Sequence, residues 1–546
     1  MLPPPAATYE SAIELFQSAQ TFANSQGYVL VKKRTRKDHH GNLKNMILRC
    51  DRGGVYNSSK IHQRQTSTRL IDCPFELYAA RCDNLWYIRV RDSSHNHDPS
   101  EDLSGHPMSR RLTKQQLVNV EEMTASGSRP REIISTIRQN DPLALVICKD
   151  IYNARERLRQ KNLVGRTPVE ALIDELKEGD YIYEYKCDDT GHITHLFFTH
   201  NESVMLTCRY LFIFLMDCTY KTNKYRMPLL NVVGITSFNT TFFSCFIFMK
   251  DEDEEDYLWA LTCITKLFNG ISNPHVIVTD RELALMNALK TAFLDSTNLL
   301  CLWHINKNIM KNCKSQFEEG TTVTSRVEGA HATIKTYLHT SAGDLRNVRI
   351  KLSLAVNNQK QELDTKISSE KIRFPTFVQN NSLYANIKNK ISNFALKKVD
   401  EQYQRIKCAT TQDPLPPCTG SFSSTMGLPC AHKIQIIENN QGLTLDDFHE
   451  HWWIQEHSSI PSIETNIQEL QPLLQTLQEK YEEWPEHQQS AAREKLNNLI
   501  NTPLTVLQNP QIVRTRGRPA GASNRRKNNS TRRDPSGFEL VECKIR

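Results

Sequence analysis

The chain has 546 residues and a net charge of +7 at pH 7, room for three or four domains. No apolar run approaches the roughly 20 residues that span a bilayer, and the start Met1-Leu-Pro-Pro-Pro lacks the basic-then-apolar order of a secretory signal. Fifteen cysteines, an odd number among Lys-rich segments, suit a reducing compartment with some thiolates on metal, so the expectation is a soluble nuclear or cytosolic protein.

Residues 1–25 form an N-terminal segment. Over 26–100 short strand-like pieces recur at 27–31, 46–50, 75–78 and 85–90. Cys50, Cys73, His95 and His97 fall at their ends, two thiols and two imidazoles, the donor set of a tetrahedral structural Zn²⁺ site. At this wide spacing a buried Cys pair beside a surface His-Asn-His is the alternative, and Cys82 is the nearest competing ligand. Lys32, Lys33, Arg34, Arg36 and Lys37 supply charge for contact with phosphates.

Residues 106–178 read as a helical linker domain, with helices expected near 112–123, capped by Thr113, and from 128 and 150 onward. The basic third helix fits a helix-turn-helix or a solvated connector equally.

The stretch 179–345 carries the chemistry. A hairpin-like pair at 181–185 and 195–198 precedes an apolar run, 210–216, that ends in Asp217. Runs at 229–236 and 241–249 follow, then a helix-compatible segment, 251–268, and the run 275–279 ending in Asp280. Three strands on short connections, then helix, strand and helix, is the order of an α/β ribonuclease-H-like core. A single Asp after a strand is often only a turn residue or helix cap, and Asp280 is placed to cap the helix after it. Two carboxylates at neighbouring strand ends repel unless a cation lies between them, and hard divalent cations take oxygen ligands. The acidic run 251–256 reads as a helix N-terminus complementing the helix dipole. Cys301 and His304 stand one helical turn apart, to bind metal, orient acids or pack, with structural support the preferred role. Glu328 opens a further helix, with Glu282, Asp295 and Asp344 as competing acids.

Residues 346–404 are helical, rich in Lys, Asn and Gln, and name no chemistry. Cys418, Cys430 and His432 lie within 405–436; 437–505 is amphipathic and helical. The tail 511–533 holds eight Arg or Lys and no acid, enough for the whole net charge, and includes Arg516-Gly517-Arg518-Pro519. That tetrad is suited to a narrow A·T-rich minor groove, or forms part of a disordered basic tail or nuclear-localisation signal.

Asp217-Cys-Thr-Tyr-Lys, Val278-Thr-Asp280-Arg-Glu, Cys301-Leu-Trp-His304 and Arg326-Val-Glu328-Gly-Ala-His331, in this order, resemble the transposases of Mutator-like elements. The resemblance spans about 180–350 and implies a DDE-type ribonuclease-H-like core. It makes Asp217, Asp280 and Glu328 the acidic triad on Mg²⁺ or Mn²⁺, with Cys301 and His304 as the motif between them. Members of that family carry a long helical insertion before the Glu, whereas here only residues 305–327 separate His304 from Glu328. Cys73-Pro-Phe-Glu through Trp86 to His95-Asn-His97 resembles the far-red-impaired-response domain, a relative of WRKY fingers, implying a zinc-stapled β domain that reads the major groove. Gly427-Leu-Pro-Cys430-Ala-His432 resembles the end of a SWIM zinc finger, with Gly420 where that pattern has its second Cys; Cys408 is a possible fourth ligand. Arg516–519 resembles an AT-hook.

The resulting expectation is an α/β ribonuclease-H-like catalytic core with a small zinc-stapled β N-terminal domain and helical flanking regions. Its function would be metal-dependent cleavage and transfer of double-stranded DNA at element ends, in the nucleus, with self-assembly left open and no membrane partner. The alternative is a domesticated relative that binds promoter DNA as a transcription regulator without catalysis. The short 305–327 stretch and Gly420 favour this second reading; the three acids favour the first.

Overall fold

The computed structural model describes residues 7–56, 67–268, 273–302, 304–305, 326–379, 381–409, 414–438, 442–454, 470–501 and 506–512. The chain divides into two compact units, Met1–Ala171 and Leu172–Arg546.

In the first unit, helix α1 (Ala12–Ser25) is capped by Ser11, whose hydroxyl accepts from the Glu14 N–H. It lies with a five-stranded antiparallel sheet in the order β1-β5-β4-β3-β2, made of β1 (Thr8–Tyr9), β2 (Leu30–Lys37), β3 (Leu43–Cys50), β4 (Glu76–Cys82) and β5 (Leu85–Asp92). Leu15, Ala19 and Ala23 of α1 pack with Leu30, Met46, Leu48, Phe75, Leu77 and Trp86. The first strand starts later than its apolar run indicates. Gly27 sits at φ +76 in the turn that ends α1, a conformation that costs glycine little, so pairing begins at Leu30 and carries the basic run into edge strand β2. Helices α2 (Lys114–Ala125), α3 (Pro130–Asn140) and α4 (Cys148–Leu163) enclose Val120, Ile133, Ile137 and Ile151. Thr113 caps α2 in a reciprocal capping box with Gln116.

The second unit is entered through α5 (Pro168–Glu178) and built on a seven-stranded sheet. Its strands are β6 (Tyr181–Cys187), β7 (Ile193–His200), β8 (Ile213–Thr219), β9 (Leu229–Ile235), β10 (Thr241–Phe248), β11 (Val276–Thr279) and β12 (Thr297–Leu300). The order is β12-β11-β8-β9-β10-β7-β6. β8 to β10 form an antiparallel meander, and β11 and β12 add in parallel on the other side of β8. This is the ribonuclease-H-like arrangement, extended at β10 by the β6–β7 hairpin. Short helix α6 (Asn201–Arg209) joins β7 to β8.

Strand alternation sorts β8 into two faces. Phe214 and Met216 meet Tyr257, Leu261 and Ile264 of α7 (Glu254–Phe268) and Leu285 and Leu289 of α8 (Leu283–Ala292) in the main core. Leu215 and Asp217 face the other way, toward α9 (Arg326–Leu338), which contacts β8, β9 and β10; α10 (Leu345–Ile372) contacts α9 and β10. Beyond these, α11 (Asn393–Cys408), α12 (Ser421–Met426) and α13 (Ala431–Glu438) share a smaller core with Tyr384, Phe448 and Trp452. Residues near 508 return to the sheet, where Gln508 exchanges backbone hydrogen bonds with Gly191 and Ile193.

Gly234 of β9 pairs with Phe242 of β10, and a Cβ there would lie 2.2 Å from the Phe242 ring. Gly234→Ala is therefore expected to displace that ring, itself fully buried, and to cost about 1–3 kcal/mol. Denaturant unfolding checks this; wild-type stability in the variant would show that the ring moves freely.

Candidate active site

Asp217 lies inside β8 as its fifth residue, not beyond the strand end as its apolar run indicates. Cys218 and Thr219 continue to pair with Leu230 and Leu229 of β9. On the other side β11 stops at Thr279, paired with Met216, so Asp280 comes out beside Asp217 at the sheet's C-terminal edge. Asp280 also accepts the backbone N–H of Glu282 at 3.2 Å, the turn role its position allows.

Glu328, third residue of α9, and His304 reach the same place. Ligand-capable atoms of Asp217, His304 and Glu328 all lie within 4.8 Å of one another, with His304 Nε2 3.7 Å from Glu328 Oε1. Cys301 is not a member of this cluster, although its thiol hydrogen-bonds His304. His331, one turn after Glu328, sets its Nδ1 3.8 Å from Asp217 Oδ2. Thus His304 stands among the carboxylates, where the sequence pointed to a supporting role.

The electrostatics follow from crowding. Burial first, then the Asp280 charge, push the Asp217 carboxyl up to about 7, against the opposing effect of His304. The hydrogen bond with Cys301 raises His304, with burial opposing and the Asp217 charge assisting. Burial takes His331 down to about 4, leaving it neutral near pH 7. A buried acid repelled by neighbouring carboxylates is a ready ligand for a cation, whose charge reverses both penalties. Oxygen donors suit Mg²⁺ and Mn²⁺, and the imidazole of His304 makes the set somewhat softer.

Cys50, Cys73, His95 and His97 form a second cluster, with Cys50 Sγ 3.4 Å from His97 Nε2 and Cys73 Sγ 3.3 Å from His95 Nδ1. These separations fit ligand atoms at about 2.0–2.3 Å from one tetrahedral ion. His97 Nδ1 lies 2.9 Å from the Asp98 carbonyl, a contact that turns Nε2 toward the thiols. Burial drives the Cys50 thiol up to about 12 and His95 down to about 4, so without a cation these two are uncharged near pH 7. Cys82 is exposed at the end of β4, outside the cluster.

Cys418, Cys430 and His432 form a third group, with Sγ atoms 3.9 Å apart. Burial opposes ionisation of Cys430, but hydrogen bonds from the Lys433 backbone, Ser423 and Cys418 bring its thiol down to about 7. Gly420 is left-handed at φ +68 and caps α12, a backbone that strains a cysteine, and Cys408 is exposed and outside the group.

Of the basic residues on β2, Lys33 is ion-paired to Glu76 at 2.5 Å and Lys32 lies over the Phe16 ring, while Arg34, Arg36 and Lys37 are exposed. Arg516, Gly517, Arg518 and Pro519 lie outside the described residues, as does most of 305–327. Two polar residues at the site went unassigned from the sequence, His331 and Asn231. Asn231 had one signal: it interrupts the otherwise apolar run LLNVVGI.

A ribonuclease-H-like sheet with clustered carboxylates at its edge defines a class. Residues 213–308 match the MULE transposase domain. Over 328 residues the chain is 32% identical to the PKS-NRPS hybrid synthetase cheA of Chaetomium globosum, covering 57% of this chain and 7% of that protein. It is 22% identical to protein FAR1-RELATED SEQUENCE 5 of Arabidopsis thaliana, covering 55% of this chain and 41% of the relative. Protein FAR-RED IMPAIRED RESPONSE 1 of the same plant is 21% identical over 55% of this chain and 38% of its own length. The chain thus spans under half the length of these relatives. The HTLV-2 integrase catalytic core domain in complex with magnesium aligns at 21% identity, over 19% of this chain and 68% of its own, with a TM-score of 0.13; the fold assignment rests on the strand order alone. The domain match over 213–308 and the FAR1-related relatives together support a transposase-derived protein of the MULE type.

Proposed function

We propose that this protein is a DNA strand transferase whose Asp217, Asp280 and Glu328, joined by His304, hold one or two Mg²⁺ or Mn²⁺ ions. The convergence of Asp217, Glu328 and His304 within 4.8 Å carries the reading. When bound, divalent cations would polarise a phosphodiester and favour the deprotonated, more nucleophilic form of a water or 3′-hydroxyl. Asp217, in the strand, and Glu328, in the first turn of a helix, are held by regular structure, which fixes their oxygens relative to a scissile phosphate. Neutral His331 covers the inner side of Asp217. The Cys50–His97 and Cys418–His432 groups take structural Zn²⁺, and the strand bearing Arg34, Arg36 and Lys37 tracks DNA phosphates. The similarity to MULE transposase domains supports double-stranded DNA as the partner and the nucleus as the working compartment. Among the described residues no helix is long and apolar enough to cross a membrane.

Cation binding must displace the proton of Asp217. Its carboxyl titrates near 7, above the ordinary range, so the binding-competent ionised fraction grows as pH rises through 7. Mn²⁺ affinity is expected to increase about ten-fold from pH 6 to pH 8. Titration calorimetry of the zinc-loaded chain, with Asp217→Asn as reference, measures this; equal isotherms for the two proteins at pH 8 would remove the cation site. A second reading, a DNA-binding regulator without cleavage, draws on the short 305–327 connection and is distinguished by cation binding without strand breakage.

A further inference from the structure

Asn231 has no role in the chemistry above, yet it is fully buried and neither its amide nitrogen nor its amide oxygen has a hydrogen-bond partner among the described residues. Its neighbours in β9, Leu230 and Val232, belong to the apolar core on the opposite face. In strand register Asn231 stands directly opposite Asp217 of β8, and directly paired residues project to the same side of a sheet with Cβ atoms about 4.5–5.5 Å apart. That side is covered by α9, the helix that brings Glu328 and His331 to Asp217. Two more buried polar atoms lack a partner in the same region: Thr219 Oγ1, two residues beyond Asp217 along β8 on the same face, and Nε2 of His331, whose other ring nitrogen lies 3.8 Å from the Asp217 carboxylate. Polar atoms left unpaired in a core are costly, and an amide with both ends unpaired, paired in register with a buried acid, has no packing rationale. Leu or Val at position 231 would fill the strand face at no such cost.

We infer that Asn231 is a positioning residue of the acid cluster: its amide N–H, unpaired in the cation-free chain, turns to the Asp217 carboxylate across the β8–β9 pair when a divalent cation is held there and fixes the orientation of that carboxylate. The inference rests on the cation-binding reading above and adds a residue to it. Asn231 lies deeper than Asp217 and acts through that carboxylate, without touching the nucleic acid.

A purely structural residue and a positioning residue respond oppositely to substitution. Asn231→Leu removes two unpaired polar atoms and keeps the branched outline at a larger volume, so relief of the unpaired groups is set against tighter packing and thermal stability is expected to stay near that of the wild type. Loss of an outer-shell partner weakens metal binding about 10–100-fold, and Mn²⁺ affinity of the Asn231→Leu chain, read by calorimetry and by the electron paramagnetic resonance of bound Mn²⁺, is expected to fall by that factor. Asn231→Thr, which suits a strand and retains a hydroxyl donor, is expected to recover most of the affinity and covers the case in which the Leu variant does not fold. Wild-type Mn²⁺ affinity in a folded Asn231→Leu or an equally weakened Asn231→Thr overturns the assignment while leaving the cation site standing. If wild type and Asp217→Asn bind Mn²⁺ identically, the cation site itself fails and this assignment with it.

Discussion

Asp217→Asn is expected to make the cation-free protein more stable while eliminating its divalent-cation site. The folded-state carboxyl titrates near 7, raised from the ordinary 3.8 mainly by burial and next by Asp280. A raised carboxyl binds its proton more tightly in the folded than in the unfolded chain, so its contribution to stability falls as pH rises from about 4 to about 7 and is level above that. At pH 8 the wild type bears the full cost, on the order of 2–4 kcal/mol, which the amide does not carry. Thermal unfolding at pH 8 in chelator should therefore show a higher Tm for Asp217→Asn, with a much smaller difference at pH 5. Saturating Mn²⁺ should reverse the order, because a cation bound only to the folded wild type stabilises it by mass action. A variant less stable than wild type at pH 8 without cation would mean that Asp217 is satisfied by protein partners and needs no ion.

Removal of zinc from the first unit should have the larger structural effect. Cys50, Cys73, His95 and His97 join β3, the β3–β4 connection and the segment after β5. Structural zinc contributes about 10–16 kcal/mol in small domains, comparable to the whole stability of an ordinary fold. Chelation, or Cys73→Ser, is expected to melt the five-stranded sheet and abolish the DNA affinity it supplies; Cys82→Ser should leave both intact. The check is zinc content together with hydrogen-exchange protection of β3 and β4. A Cys73→Ser protein that keeps its zinc and its protected sheet would assign the metal elsewhere.

The framework of the second unit was legible because buried strands write themselves as apolar runs. The segments 229–236 and 241–249 differ from β9 and β10 by one residue each. Thr113, three residues before Gln116, announced its capping box in the same local way. What depends on partners in space was not legible. The apolar run before Asp217 does not reveal that β9 continues to pair past the acid while β11 stops short, and that register sets Asp217 and Asp280 side by side. The basic run 32–37 has no periodicity that marks a strand; the turn at Gly27 fixes where β2 begins. His304 looked like half of a local Cys-His pair, and only the approach of α9 puts Glu328 within 3.7 Å of it. Asn231 gains meaning only from the residue across the strand pair.

The most direct measurement is Mg²⁺- or Mn²⁺-dependent nicking and strand transfer on DNA carrying the terminal repeats of the parent element, wild type against Asp217→Asn, Asp280→Asn and Glu328→Gln. Expected are cleavage by the wild type that requires the cation and its loss by several orders of magnitude in each variant. Wild-type protein that binds the DNA and Mn²⁺ but leaves every phosphodiester intact would contradict strand transfer and identify a DNA-binding protein that has kept the transposase fold.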